Sequence, residues 1–148
     1  ALSRNIFFYK KLQLPDSFET RIYLMFIHFS IMMKIFKKKG TKFDQKSYDS
    51  LFFNIENNLR ESGLGDVTVN KKMKELNKIL YDILLKIDID DKDEFSVNKN
   101  LICKYFKDLN VNNEQKYNEF KIYLTNFFSF CFELPLNNMI REAINFEK

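Results

Sequence analysis

His28 is the only histidine of the chain, and Cys103 and Cys131 are its two cysteines. No CxxC pair is present, and a structural zinc site takes about four Cys or His ligands. No metal or organic cofactor is expected on that count. Both thiols sit in apolar helical stretches, which reads as two small core residues rather than as a disulfide. No nucleophile stands in sequence reach of His28, and the sequence proposes no set of nucleophile, base and oxyanion donor. His28 does follow Arg21 at two helical turns along one face. The pair is expected to share a buried polar contact with a carboxylate.

Two further patterns resemble ligand loops and fail on inspection. Gly63-x-Gly65 is the start of a phosphate-binding fingerprint, but position 68 is Thr and the segment follows a helix instead of a strand. A helix stop with a tight turn fits better. The run Asp88-Ile89-Asp90-Asp91-Lys92-Asp93-Glu94 has the acidity of a calcium loop. Counted from Asp88, an EF-hand wants Gly and Glu where this chain has Asp93 and Lys99. It reads as a solvated loop.

With catalysis unsupported, the question becomes what the elements hold up. The chain has 148 residues, 45% hydrophobic, with 17 Phe but only three Gly and two Pro. Turns draw on Gly and Pro, so their scarcity favours helices over many short strands. The expected fold is all-α, a single-domain bundle of about six to seven helices over residues 1–148. The net charge of +4 is mild and does not mark a sequence-specific nucleic-acid binder. The basic start Arg4-Asn5-Ile6-Phe7-Phe8 is too short for a signal-peptide core.

The first helix is expected over about Ser3 to Leu12, stopping ahead of Pro15. Asp16 or Ser17 then caps a long helix to about Lys39. This second helix is apolar nearly all round, from Ile22 to Phe36, which fits a central core helix. His28, Ser30 and Lys34 interrupt the run of roughly 20 apolar residues that a bilayer crossing needs, and the alternative to a core helix is peripheral membrane contact through its ends. Gly40 ends it, and Thr41 with Asp44 opens the third helix as a capping-box variant. Tyr48, Leu51, Phe52, Ile55 and Leu59 form its stripe, with Phe53 beside it, and Gly63 ends it in a left-handed turn.

Thr68 is expected to cap the fourth helix, whose stripe is Val69, Met73, Leu76, Leu80, Ile83, Leu84 and Ile87. A fifth follows over about Val97 to Leu109, a sixth over about Asn113 to Leu134, and a last over about Leu136 to Phe146. The sixth is the most apolar. Phe120, Tyr123, Leu124, Phe127, Phe128, Cys131 and Leu134 form a broad stripe, widened by Phe130 and Phe132, which implies deep burial, the alternative being that part of the arc lines a groove for an apolar client.

Two basic rows stand apart from these stripes. Lys71, Lys74 and Lys78 share one helix face, and Lys37, Lys38 and Lys39 close another helix. Lys71 and Lys72 near a helix start would oppose the dipole at a cost of a few tenths of a kcal/mol, a hint of an anionic partner. Phe53 and Tyr81, next to the core stripes, supply apolar contacts. These eight residues, Lys37 to Lys39, Phe53, Lys71, Lys74, Lys78 and Tyr81, form the expected partner-binding surface.

Two stretches carry a family resemblance. One is Leu14-Pro15-Asp16-Ser17-Phe18-Glu19-Thr20-Arg21, continuing to His28. The other runs from Phe52 through Ile55-Glu56 and Leu59-Arg60-Glu61 to Gly63-Leu64-Gly65-Asp66-Val67, then Lys72-Met73-Lys74. In order and spacing they resemble the ubiquinol–cytochrome c chaperones. Asn54 and Asn58 depart from the acidic or other residues usual there. The resemblance implies a helical, non-enzymatic protein of mitochondria or alphaproteobacteria that assists assembly of the cytochrome bc1 complex. It implies newly made cytochrome b as client, a small partner protein, and contact with the ribosome or membrane surface. It also implies a cytoplasmic or matrix-side location. Pro15, Asp16, Phe18, Arg21, His28, Arg60, Glu61, Gly63, Gly65 and Asp66 would be its structural motif. The competing expectations are a helical module with one stable partner and no chaperone cycle, and, more weakly, an enzyme.

Overall fold

The computed structural model describes residues 7–109 and 114–146. Ser3 to Ile6 of the expected first helix, and Asn113, lie outside them. Six α-helices and one small hairpin make up most of the described chain. They are α1 (Phe18–Lys38), α2 (Gln45–Glu61), α3 (Asp66–Leu85), β1 (Ile87–Ile89), β2 (Phe95–Val97), α4 (Lys99–Tyr105), α5 (Glu114–Glu133) and α6 (Leu136–Ala143). The all-α expectation holds, with one two-stranded sheet added.

α1 is the centre. It packs against α3, α5, α6 and the hairpin, and twelve of its residues are buried, from Thr20 to Phe36. Neighbours on most of its sides leave little of it open to water, which explains its near-continuous hydrophobicity. No described helix is long and apolar enough to cross a membrane. Ser17 caps α1 by accepting from the Thr20 amide at 3.2 Å, and Gly40, at φ +74°, turns the chain out of it. α2 and α3 form a helical hairpin. Gly63 (φ +90°) makes the turn between them, a conformation that costs any residue with a Cβ.

Several expectations change. The N-terminal segment is a single π-helical turn, Phe7–Lys11. It buries Phe7, Phe8 and Leu12 against the core. Asp44, not Thr41, caps α2, accepting from the Lys46 amide and the Ser47 hydroxyl. α3 starts one turn before Thr68: Gly65 is its N-cap and Asp66 its first residue. Lys71 and Lys72 therefore fall in its second turn, and the dipole argument made for them lapses. Ile87 leaves the α3 stripe for strand β1, where it pairs with Val97 and is buried. The acidic loop is the tip of this hairpin. The Asp90 carboxylate organises it by accepting from the Lys92 and Glu94 amides at 2.9 Å each. Consequently the fifth helix begins at Lys99 and ends at Tyr105, with Lys107–Leu109 as a 3-10 turn.

α5 covers α1 with the stripe read from sequence. Tyr117, Phe120, Tyr123, Leu124, Phe127, Phe128 and Cys131 are buried, and Leu134 is half-buried. Both thiols are free, Cys131 buried and Cys103 half-buried.

Candidate protein-binding surface

The two sequence blocks meet at one end of the helices. Pro15 and Asp16 lead into α1, and Asp16 accepts from Arg21 at 3.0 Å. Arg60, in the last turn of α2, bridges Glu56 on its own helix at 3.2 Å and Asp66 in the first turn of α3. A cation at a helix C-terminus and an anion at an N-terminus each suit the local dipole, and those hydrogen bonds raise the Arg60 pKa. Gly63 and Gly65 give the tight turn that brings Arg60 and Asp66 together. Between α1 and α2 lies an open depression of about 500 Å³, lined among others by Phe18, Arg21, Met25, Asn54, Asn58 and Glu61. Asn54 and Asn58, the two departures from the family pattern, both face it. Sequence reasoning gave no signal for that convergence.

His28 is placed differently from expectation. It is fully buried and does not share a contact with Arg21, which sits half-exposed beside Asp16. Its Nδ1 is 2.6 Å from the Leu24 carbonyl and its Nε2 is 2.8 Å from the Tyr123 hydroxyl. A carbonyl only accepts, so Nδ1 carries the proton and Nε2 accepts from the Tyr123 hydroxyl. The ring is neutral, and burial pushes its pKa down to about 4. Phe8, Phe127 and Tyr123 meet it edge-on. A neutral, doubly bonded imidazole in an aromatic cage has no open position for a substrate or metal. Among the described residues no cluster of three His, Cys, Asp or Glu could hold a metal ion.

The expected partner-binding residues divide. Lys71, Lys74, Lys78 and Tyr81 are brought together: all are exposed along one side of α3. Helix spacing of four and three extends this stripe to Val67 at one end and Leu85 at the other. Val67 is 85% exposed, Tyr81 56% and Leu85 77%. The result is a lysine row between exposed apolar ends. Sequence reading missed Val67 because Thr68 was taken as the cap, and Leu85 because Leu84 filled the core stripe. Phe53, 61% exposed, stands on the neighbouring α2.

The second row, Lys37 to Lys39, is partly spent inside the molecule. Lys38 donates to the Asp90 carbonyl at 2.9 Å and faces the Asp93 carboxylate at 3.8 Å, pinning the hairpin to α1. Lys39 donates to the carbonyl of Phe132 and lies 4.7 Å over its ring. Lys37 has no such partner among the described residues.

The surface thus offers exposed apolar side chains flanking cations and no reactive constellation, which suits recognition of a polypeptide. No curated protein and no solved structure matches the chain. The family model for the ubiquinol-cytochrome C chaperone matches residues 10–101. The match takes in α1, α2, α3, the hairpin and the start of α4, including both sequence blocks and the whole lysine stripe. It spans well over half of the 148 residues, and the chain belongs to the ubiquinol-cytochrome C chaperone family.

Proposed function

We propose that this protein acts without catalysis as an assembly chaperone of the cytochrome bc1 complex, holding newly made cytochrome b on the exposed face of α3. The observation that carries this reading is the stripe Val67, Lys71, Lys74, Lys78, Tyr81 and Leu85, exposed throughout and inside the family span. A membrane-protein client shows apolar segments before insertion, and the stripe's apolar ends offer contacts for them. The lysines between keep the face hydrated when empty and favour a client segment that carries acidic residues. Phe53 extends the contact onto α2. A small partner protein, and encounter with the client near the ribosome on the side of the inner membrane where it is made, follow from the same reading.

Contacts of this type weaken as salt rises, because exposed charges are screened beyond about 8 Å at physiological ionic strength. The test replaces Lys71, Lys74 and Lys78 together with Glu and scores folding and bc1 levels separately in the host. A folded triple variant with reduced bc1 and reduced crosslinking to cytochrome b is the expected result. Full bc1 levels in that variant would remove this face from the mechanism. Co-purification of one stoichiometric partner in place of transient cytochrome b would instead identify a static interaction module.

A further inference from the structure

At the far end of α1 from the motif blocks, the turn at Gly40 folds Lys42 and Phe43 back beside the helix. Together with the end of α3 they enclose a recess of about 430 Å³. Its apolar lining is Met33 from α1, Phe43 from the turn, and Leu84 and Leu85 from α3. Phe43 is fixed by edge-on packing against Phe29 and Phe36, with ring centres 5.3 and 5.1 Å away. Lys34, Lys37 and Lys42 complete the lining. None of the three makes an ion pair among the described residues. Of the carboxylates nearby, two are engaged elsewhere, and Asp88 lines the adjoining recess without an ion pair among the described residues. Asp44 caps α2, Asp93 faces Lys38, and Asp88 opens onto the adjoining recess beside Lys34, Lys37 and Lys38.

Three like charges around one greasy hollow repel one another, so the recess is complementary to an anion that also has an apolar part. A polyanion without such a part would leave Met33, Phe43, Leu84 and Leu85 uncovered. We propose that this recess is a docking site for an anionic phospholipid at a bilayer surface, the headgroup phosphate held by Lys34, Lys37 and Lys42 and the first acyl carbons lying on the apolar lining. Leu85, 77% exposed at the edge, enters the interface. Clustered cations and an exposed apolar side chain are the two contributions that surface binding sums. The site shares Leu85 with the apolar end of the α3 stripe but uses none of that stripe's lysines, and it does not depend on any client.

The experiment is flotation of the purified chain with vesicles of phosphatidylcholine alone or mixed with phosphatidylglycerol. The wild-type chain floats with the mixed vesicles and not with the neutral ones. Each lysine near an anionic surface is worth about 1 kcal/mol, or about fivefold. Lys34→Gln, Lys37→Gln and Lys42→Gln combined therefore lower the partition coefficient roughly a hundredfold, and Lys37→Gln alone, at an exposed position, about fivefold. Leu85→Ser lowers it about tenfold. Replacing Lys71, Lys74 and Lys78 by Gln changes it by less than about twofold, which separates this site from the client face. Thermal melts of each variant keep folding apart from binding. Flotation that is equal on neutral vesicles, or unchanged in the recess variants, overturns the proposal. So does binding of an RNA oligonucleotide that the recess variants abolish while vesicles are ignored, since that assigns the recess to nucleic acid.

Discussion

The imidazole of His28 and the hydroxyl of Tyr123 are 2.8 Å apart across 95 residues of chain, and they fix each other's hydrogens. His28 donates to its own helix through Nδ1 and accepts from α5 through Nε2. This polar contact crosses the interface between the central helix and its cover, inside a ring of aromatic side chains.

Stability should fall on mild acidification because of that contact. The His28 pKa is lowered from 6.5 to about 4 in the fold, mainly by burial. Between those values the unfolded chain takes up a proton that the folded chain refuses. The contribution is complete above pH 6.5 and is lost as pH falls towards 4, roughly 3 kcal/mol over the window. Urea unfolding at pH 7.0, 5.5 and 4.5, as an order-of-magnitude pH series across the two pKa values, should show this slope in the wild type. A His28→Gln variant should flatten it. An unchanged slope in the variant would place the acid sensitivity elsewhere.

Ser30→Ala should stabilise. The Ser30 hydroxyl is buried in α1 without a hydrogen-bond partner among the described residues. Removing an unsatisfied hydroxyl recovers its desolvation cost, about 1 kcal/mol, and should raise Tm by about 2–4 °C. A lowered Tm would mean that the hydroxyl is bonded in solution.

Gly63→Ala should cost about 1 kcal/mol through the backbone alone. An added Cβ would meet nothing within 4 Å, so the cost comes from φ +90° and not from a clash. Chemical denaturation measures it, and cytochrome b crosslinking at a temperature where both proteins are folded should be unaltered. Lost crosslinking at unchanged stability would make the turn a contact site.

Asp82→Ala should loosen α4. The Asp82 carboxylate accepts from the Tyr105 hydroxyl at 2.6 Å, Lys86 at 2.9 Å and Lys104 at 3.1 Å. These partners, Tyr105 first, hold its pKa well below the ordinary carboxylate value. The contribution is present above about pH 4 and is lost below it, so it does not overlap the His28 window. Lys104 is well exposed, so the loss should be about 1–2 kcal/mol, mostly from Tyr105. Hydrogen exchange should speed up in α4 more than in α2. Uniform acceleration would indicate global destabilisation instead.

What the sequence revealed was local. Ser17, Gly40 and Gly63 do their work within one turn of chain, and the stripes of α1 and α5 bury as their spacing requires. The hairpin was hidden because Ile87 continues the α3 period and three-residue strands are too short to show alternation. Asp44 caps α2 three residues later than Thr41 because its carboxylate reaches the Lys46 amide, and the turn set by Gly63 places the α3 cap at Gly65, three residues earlier than Thr68. Distant partners left no local trace: Tyr123 for His28, Asp90 and Asp93 for Lys38, and the Phe132 carbonyl for Lys39. The lysine row of α3 was legible because solvent is its only neighbour.

The separation of His28 from Tyr123 also has a meaning in time. Synthesis proceeds at about 5–20 residues per second, so roughly 5 to 20 s pass between the two residues leaving the ribosome. For most of that interval α1 has been made and α5, which covers it, has not. For those seconds the nascent chain shows the same kind of exposed greasy helix as its proposed client, and so it needs shelter of its own before it is folded.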